Sequence, residues 1–304
     1  MIVPAAFPIF AWGLSAAALA AYTVMAAREI TYVTLADGRK TERRLPLVFR
    51  LLLPFVSNCR KVVDSPKLAV QRDQVGMKLV SAGLEGLLSG GEFLALRIIV
   101  PIVFGVVGTF MATMLAQLMP DSFFSSNAFF LSLLSVLVGY VYPGLWLRRT
   151  LKARHQEIMK ALPFVLDLLT LSVEAGMDFM SALQRNCERR KLDALNEELI
   201  RMLREIQVGT PRRVALKNLS ARSGQSDLVS VAHALIQADE LGVSIGSILR
   251  IQSEQLRSRR FERAEKLANE APVKMLGPLL LCIFPAVFVI LLGPVLQQAA
   301  QSVF

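Results

Sequence analysis

The stretch Gly242-Val243-Ser244-Ile245-Gly246 has the G-x-S-x-G spacing of a nucleophile elbow, in which a serine attacks a carbonyl carbon. That elbow needs a strand–turn–helix setting and a histidine later in the chain. The two histidines, His155 and His233, both precede Ser244. We therefore expect Ser244 to cap a helix by accepting hydrogen bonds from free backbone amides.

Other catalytic and metal-binding patterns lack the spacing that their chemistry requires. No G-x-x-x-x-G-K-[ST] motif is present to hold nucleotide phosphates, and the histidines have no ligand partners at helical spacing. Cys59, Cys187 and Cys282 are too far apart to predict a zinc site or a disulfide framework. The sequence predicts a non-enzymatic protein with no cofactor and no metal.

Clusters of arginine are the remaining candidates for function. Arg212 and Arg213 follow a Gly209-Thr210-Pro211 turn, which predicts an exposed helix tip and a contact with a partner protein. A second cluster forms a basic stripe on a predicted helix: Arg257, Arg259, Arg260 and Arg263. This stripe is either a solvated or lipid-facing collar, or a docking site for a partner molecule.

Four stretches without Asp, Glu, Lys or Arg are long enough to cross a bilayer as helices. The predicted spans are residues 1–27, 98–120, 122–147 and 275–296. Because residues 1–27 contain no basic residue, a retained span is favoured over a cleaved signal peptide. With a hydrophobic content of 54%, the chain is predicted to be an all-α, multi-pass membrane protein.

All 34 Lys and Arg residues fall in two segments, residues 28–97 and 148–274. The positive-inside rule places both segments in the cytoplasm, with both termini and the short tail 297–304 on the other side. The same rule and anionic lipid headgroups explain the net charge of +10, so we expect no nucleic-acid partner. In the basic segment 28–97, residues 45–56 predict an interfacial or domain-packing helix.

Glycines recur every 33 residues in segment 148–274, at Gly176, Gly209 and Gly242. Each is followed six and seven residues later by an Ala-Leu or Ile-Leu pair. Such a period is typical of a repeated helix–turn–helix unit, with glycine ending one helix; chance is the other explanation. Either way, we expect a cytoplasmic domain of six helices arranged as three hairpins.

Residues 161–185 (ALPFVLDLLTLSVEAGMDFMSALQR), 209–294 (beginning GTPRRVALKNLSARSGQSD) and 81–101 (SAGLEGLLSGGEFLALRIIVP) carry a family resemblance. Together they resemble the type II secretion system F-family domain, and in particular the TadC branch of the Tad (Flp) pilus platform proteins. The resemblance covers roughly residues 80–304.

The resemblance implies a non-catalytic scaffold in the bacterial inner membrane. Its expected partners are a hexameric assembly ATPase, a sibling TadB-like platform protein, pilin subunits and membrane lipids, within a homo- or hetero-oligomer. Such a protein couples the ATPase to pilin extraction, and the docking site that the arginine stripe would form is then one for the ATPase or for a pilin tail. The alternative function is a small-molecule permease with a cytoplasmic regulatory domain, although the predicted spans hold no charged residue to mark a transport path.

Overall fold

A computed structural model describes residues 31–34, 40–43, 45–56, 68–118 and 128–303. The predicted span 1–27 and the turn containing Asp121 lie outside these residues. Regular structure in the described part consists of one hairpin, β1 (Thr31–Thr34) and β2 (Lys40–Arg43), and a series of helices. The strands are antiparallel, with Thr31 opposite Arg43 and Thr34 opposite Lys40.

The described helices follow in chain order as α1 (Leu47–Val56), α2 (Ala69–Ser81), α3 (Gly90–Leu118), α4 (Ala128–Glu174), α5 (Phe179–Arg189), α6 (Ala194–Gln207), α7 (Arg212–Ser223), α8 (Ser226–Leu241) and α9 (Ile245–Val303). The chain forms two compact units. The first ends at Leu249 and the second begins at Arg250, so α9 contributes to both.

Three of the described helices, α3, α4 and α9, are long and apolar enough to cross a membrane. Helix α9 contains the predicted span 275–296, and α3 and α4 contain the described parts of the predicted spans 98–120 and 122–147. In the apolar part of α9, residues 275–292 are all exposed within the chain. Because exposed apolar side chains at this density are stable in lipid and not in water, this helix is consistent with a membrane span.

The predicted boundaries between spans and cytoplasmic helices at residues 147/148 and 274/275 are not helix ends. Helix α4 has 47 residues and runs for about 70 Å through the first boundary, and α9 has 59 residues and runs through the second. At these points the sequence changes in polarity, but the backbone remains helical because Arg and Lys are good helix formers. The first and last of the six predicted cytoplasmic helices are therefore parts of longer helices, with α5 to α8 between them.

Small residues let α3 and α4 pack closely. A Cβ atom added to Gly105 would lie 2.8 Å from Cγ2 of Val136, and one added to Gly139 would lie 2.9 Å from Cα of Pro101. A Cβ atom on Gly108 would overlap the side chain of Ser135. Close approach of this kind is the usual way that membrane helices gain packing energy.

Helix α1 packs on α3 and α4 through Phe49, whose side chain is fully buried. Its ring makes edge-to-face contacts with Phe93, Tyr142 and Trp146, with centroid distances of 6.4, 5.9 and 4.9 Å. Such contacts add to the area that the aromatic rings bury. Of the two sequence alternatives for residues 45–56, the structure shows the packing helix.

Candidate functional site

Arg154 of α4 is the centre of a buried ion network. Its Nη1 donates to Oε2 of Glu197 at 2.8 Å and its Nη2 donates to Oε1 of Glu198 at 3.1 Å. Only 6% of the Arg154 side chain is exposed, so its charge depends on these two carboxylates of α6 for solvation.

A second arginine extends this network to α7. Nε of Arg222 donates to the other Glu198 oxygen, Oε2, at 3.2 Å, and Nη1 of Arg222 donates to Glu205. Glu198 therefore bridges the two arginines. We call Arg154, Glu197, Glu198, Glu205 and Arg222 the buried ion network; it ties α4, α6 and α7 together.

The loop between α2 and α3 covers one side of this network. Gly83 has a φ of +70°, and a Cβ atom there would lie 2.6 Å from Cζ of Arg154. Two residues further on, Glu85 makes a bidentate pair with Arg201 of α6, with Nη2 donating to Oε1 at 3.2 Å. The hydrogen bond from Arg201 lowers the pKa of Glu85, and the bond to Glu85 raises the pKa of Arg201.

The three glycines with the 33-residue period adopt the same local structure. Gly176, Gly209 and Gly242 have φ values of +90°, +102° and +67°, a region that suits glycine. In each case the following residue donates its N–H to the carbonyl five residues earlier, at 3.0, 2.9 and 3.0 Å. This is the Schellman pattern that ends a helix, here after α4, α6 and α8.

The pairs that follow each glycine face the core of the first unit. Ala182, Leu183, Ala215, Leu216 and Leu249 are between 0% and 2% exposed, and Ile248 is half-buried. A Cβ atom on Gly246 would lie 3.4 Å from Cγ1 of Val173, so the start of α9 lies beside the end of α4. The 33-residue period therefore reflects a local structure that occurs three times. A glycine loop ends one helix, and the next helix turns its Ala-Leu or Ile-Leu pair toward the core.

The three glycine loops lie at the same end of the first unit. Arg212, at the start of α7, places its guanidinium 4.5 Å from the ring centroid of Phe179, at the start of α5. Its Nη1 lies 3.7 Å from Oδ1 of Asp239, near the end of α8. We call the loops 175–178, 208–211 and 241–244, with the adjoining helix ends, the distal tip. The end of α4 at this tip, Glu174, lies about 40 Å beyond Leu147 along the helix axis.

The two arginines predicted for this tip have different surroundings. Arg213 is 59% exposed and its Nη1 donates to Oε1 of Glu240 at 2.6 Å. Arg212 is only 21% exposed, and its Nε and Nη2 are buried without a hydrogen-bond partner among the described residues. Arg212 therefore joins three helix ends, whereas Arg213 is available to another molecule.

Apolar side chains next to two of the glycines are also exposed at the distal tip. Val208 is 87% exposed and Leu241 is 77% exposed, and each immediately precedes its glycine. Ala175 occupies the equivalent position before Gly176 and is exposed as well. The distal tip therefore presents apolar side chains to the surroundings as well as Arg213.

The arginine stripe lies on α9, in the second unit. Arg257, Arg260 and Arg263 are exposed and Arg259 is half-buried. The stripe is thus not part of the distal tip. Ser244 lies in the loop just before α9, and its carbonyl accepts from the N–H of Ile248 at 3.4 Å. A loop between two helices is not the strand–turn–helix setting of a nucleophile elbow.

Sequence reasoning missed the buried ion network, although a signal for it exists. Arg154 occupies the same helical stripe as Ile158, Leu162 and Val165, which are buried. A charged residue in an apolar stripe predicts a buried ion pair.

Comparison with known families agrees with this arrangement. Neither a curated protein nor a solved structure matches the chain. Residues 165–293, which extend from α4 through α5–α8 into the apolar part of α9, match the family model described as type II secretion system (T2SS), protein F. With its long apolar helices, the chain fits a multi-pass inner-membrane protein of the secretion or pilus platform type. The match supports its assignment as a type II secretion F-family protein.

Proposed function

We propose that this chain is an inner-membrane platform protein of a Tad (Flp) pilus machine, of the TadC-like branch, which couples a cytoplasmic assembly ATPase to pilin extraction. The observation that carries the proposal is the F-family match over residues 165–293, which includes both the helices of the distal tip and a membrane helix. The protein supplies no catalysis of its own and needs no cofactor; energy comes from the partner ATPase.

The continuity of α4 gives this proposal a mechanical basis. The helix runs without a loop from the apolar residues that precede Arg148 to Glu174 at the distal tip. Because the buried ion network holds α4 to α6 and α7, a push on the tip moves these helices together. Force applied in the cytoplasm therefore reaches the membrane through one continuous backbone.

The proposed docking site for the ATPase is the distal tip, with Arg213, Val208 and Leu241 as its contact residues. It is the end of the first unit farthest along α4 from the membrane helix, where a large cytoplasmic hexamer meets no lipid. Arg212 acts indirectly by holding the helix ends in place. The arginine stripe on α9 is proposed to contact the pilin tail or headgroups, and the apolar part of α9 to contact a sibling TadB-like protein.

Charge reversal tests this docking site. The R213E/L241D variant should remain in the membrane, lose co-purification with the ATPase and fail to assemble pili in its host. The matched control is R185E/R189E, which alters two exposed arginines of α5 away from the tip. Equal loss in both variants, or normal pili with R213E/L241D, would contradict the tip assignment.

A second variant tests the stripe. Replacing Arg257, Arg259, Arg260 and Arg263 by glutamate should leave membrane insertion intact and abolish piliation. Normal pili would show that the stripe is only a collar.

Helices α3 and α4 pack closely at Gly105, Gly108 and Gly139. This close packing offers no support for the alternative function as a permease.

A further inference from the structure

A basic cavity lies where α4 changes from apolar to basic sequence, directly after Leu147. It has a volume of about 420 Å³ and is lined by Arg148, Leu151, Lys152, His155, Gln156 and Met159 of α4, together with Gln225 and Ser226. None of the lining residues is acidic. The cavity belongs wholly to the first unit and is separate from the distal tip and the buried ion network.

The cations of this cavity are not used by the protein itself. Among the residues that the structure describes, neither Arg148 nor Lys152 has a hydrogen bond or an ion pair, and both side chains are exposed. The spacing of four and seven residues puts Arg148, Lys152 and His155 on one face of α4. An anion in this cavity can therefore meet the two cationic side chains of Arg148 and Lys152 at once.

A side chain of α4 that is held in place and the start of α8 complete the cavity wall. His155 is held in place because its Nε2 donates to the carbonyl of Ser223 at 3.0 Å. Ser226 is the first residue of α8, whose positive dipole end therefore lies at the cavity wall. Two acids directly follow lining residues in sequence, and neither lines the cavity: Asp227 is buried and accepts from Gln225, and Glu157 is exposed on α4.

The depth of the cavity identifies the source of the anion. Arg148 directly follows the charge-free stretch that ends at Leu147, and Lys152 is four residues, or about 6 Å, further along the helix. The headgroup layer of a bilayer is about 5–8 Å thick on each side. A membrane span that ends at Leu147 places Arg148 and Lys152 at the level of lipid phosphates.

We propose that this cavity binds the phosphate headgroup of an anionic phospholipid, with Arg148 and Lys152 as its principal ligands and the start of α8 as its floor. A bound headgroup would hold the emerging part of α4 against α8 at the membrane surface. The inference needs only a membrane-spanning α4, so it can fail or succeed independently of the pilus assignment.

The test uses the full-length protein in detergent, titrated with dioleoyl-phosphatidylglycerol, dioleoyl-phosphatidylcholine or inorganic phosphate, with bound lipid counted by native mass spectrometry. Phosphatidylglycerol should bind most tightly. R148Q should weaken its binding about fivefold and R148Q/K152Q about 25-fold, since each basic residue near a membrane surface contributes a factor of that size.

Arg149 supplies the matched control, because it is also exposed but points about 100° away around α4 and does not line the cavity. R149Q should change the affinity less than twofold. Equal weakening in R148Q and R149Q would overturn the site in favour of general surface charge. Displacement of phosphatidylglycerol by millimolar inorganic phosphate would overturn its assignment to a lipid. If R148Q does not fold, K152Q alone carries the test with the same expected fivefold loss.

Discussion

The buried ion network and the distal tip both contain pairs of arginine and glutamate, but the pairs differ in how far they are exposed to solvent. In the network, arginine and glutamate are almost fully covered, and Glu198 accepts from both Arg154 and Arg222. At the tip, Arg213 and Glu240 form a single pair that remains largely exposed. Because a buried charge needs its partners whereas an exposed one is solvated by water, the first arrangement holds helices together and the second can exchange its partner.

Removing Arg154 should have the largest effect. The R154A variant leaves the carboxylates of Glu197 and Glu198 buried with one cation fewer, which costs about 3–5 kcal/mol in comparable buried pairs. We expect a large fall in the melting temperature of the purified protein in detergent. R154A/E198A should lose less than the sum of the two single variants, because it removes both partners. A fall in melting temperature no larger than that of R213A would contradict the proposed role of the network.

Arg212 should have an intermediate effect, because its side chain is 21% exposed, compared with 6% for Arg154 and 59% for Arg213. The R212A variant loses the contact with the Phe179 ring and the long pair with Asp239, and its expected cost is about 1 kcal/mol. R213A, one residue away, should cost less than about 0.5 kcal/mol. Chemical or thermal unfolding of both variants measures the difference. A larger loss in R213A would show that the two arginines have been assigned the wrong roles.

A small effect is expected at the pair of Glu85 and Arg201, which is half-exposed. Because the pKa of Glu85 is lowered in the folded protein, its contribution is present above its ordinary pKa and is lost as the pH falls through the lowered one. E85Q should therefore melt slightly below the wild type at neutral pH, and the gap should close in acid. A gap that widens on acidification would contradict the sign of this shift.

The sequence predicted the parts of this comparison that depend on local pattern. The 33-residue glycine period located all three loops of the distal tip, because a Schellman ending needs a positive φ at a single residue. The same period did not reveal that the loops meet, since that depends on contacts such as Arg212 with Phe179, which are 33 residues apart.

The sequence did not predict the network or the helix lengths. Arg154 and Glu198 are 44 residues apart, and no local pattern pairs them. The change from apolar to basic sequence after Leu147 predicts the end of a span, whereas the backbone continues as one helix. The hairpin of β1 and β2 was also missed, despite Tyr32 and Val33 preceding an Asp37-Gly38 pair, which is a strong hairpin signal.

Site-specific photocrosslinking in host cells tests the central claim most directly. A photoreactive amino acid at position 213 should capture the assembly ATPase, and the same group at position 189, at the other end of α5, should not. Capture at both positions with equal yield, or at position 189 alone, would contradict docking at the distal tip. Capture of no ATPase at position 213 in cells that assemble pili would contradict the coupling role itself.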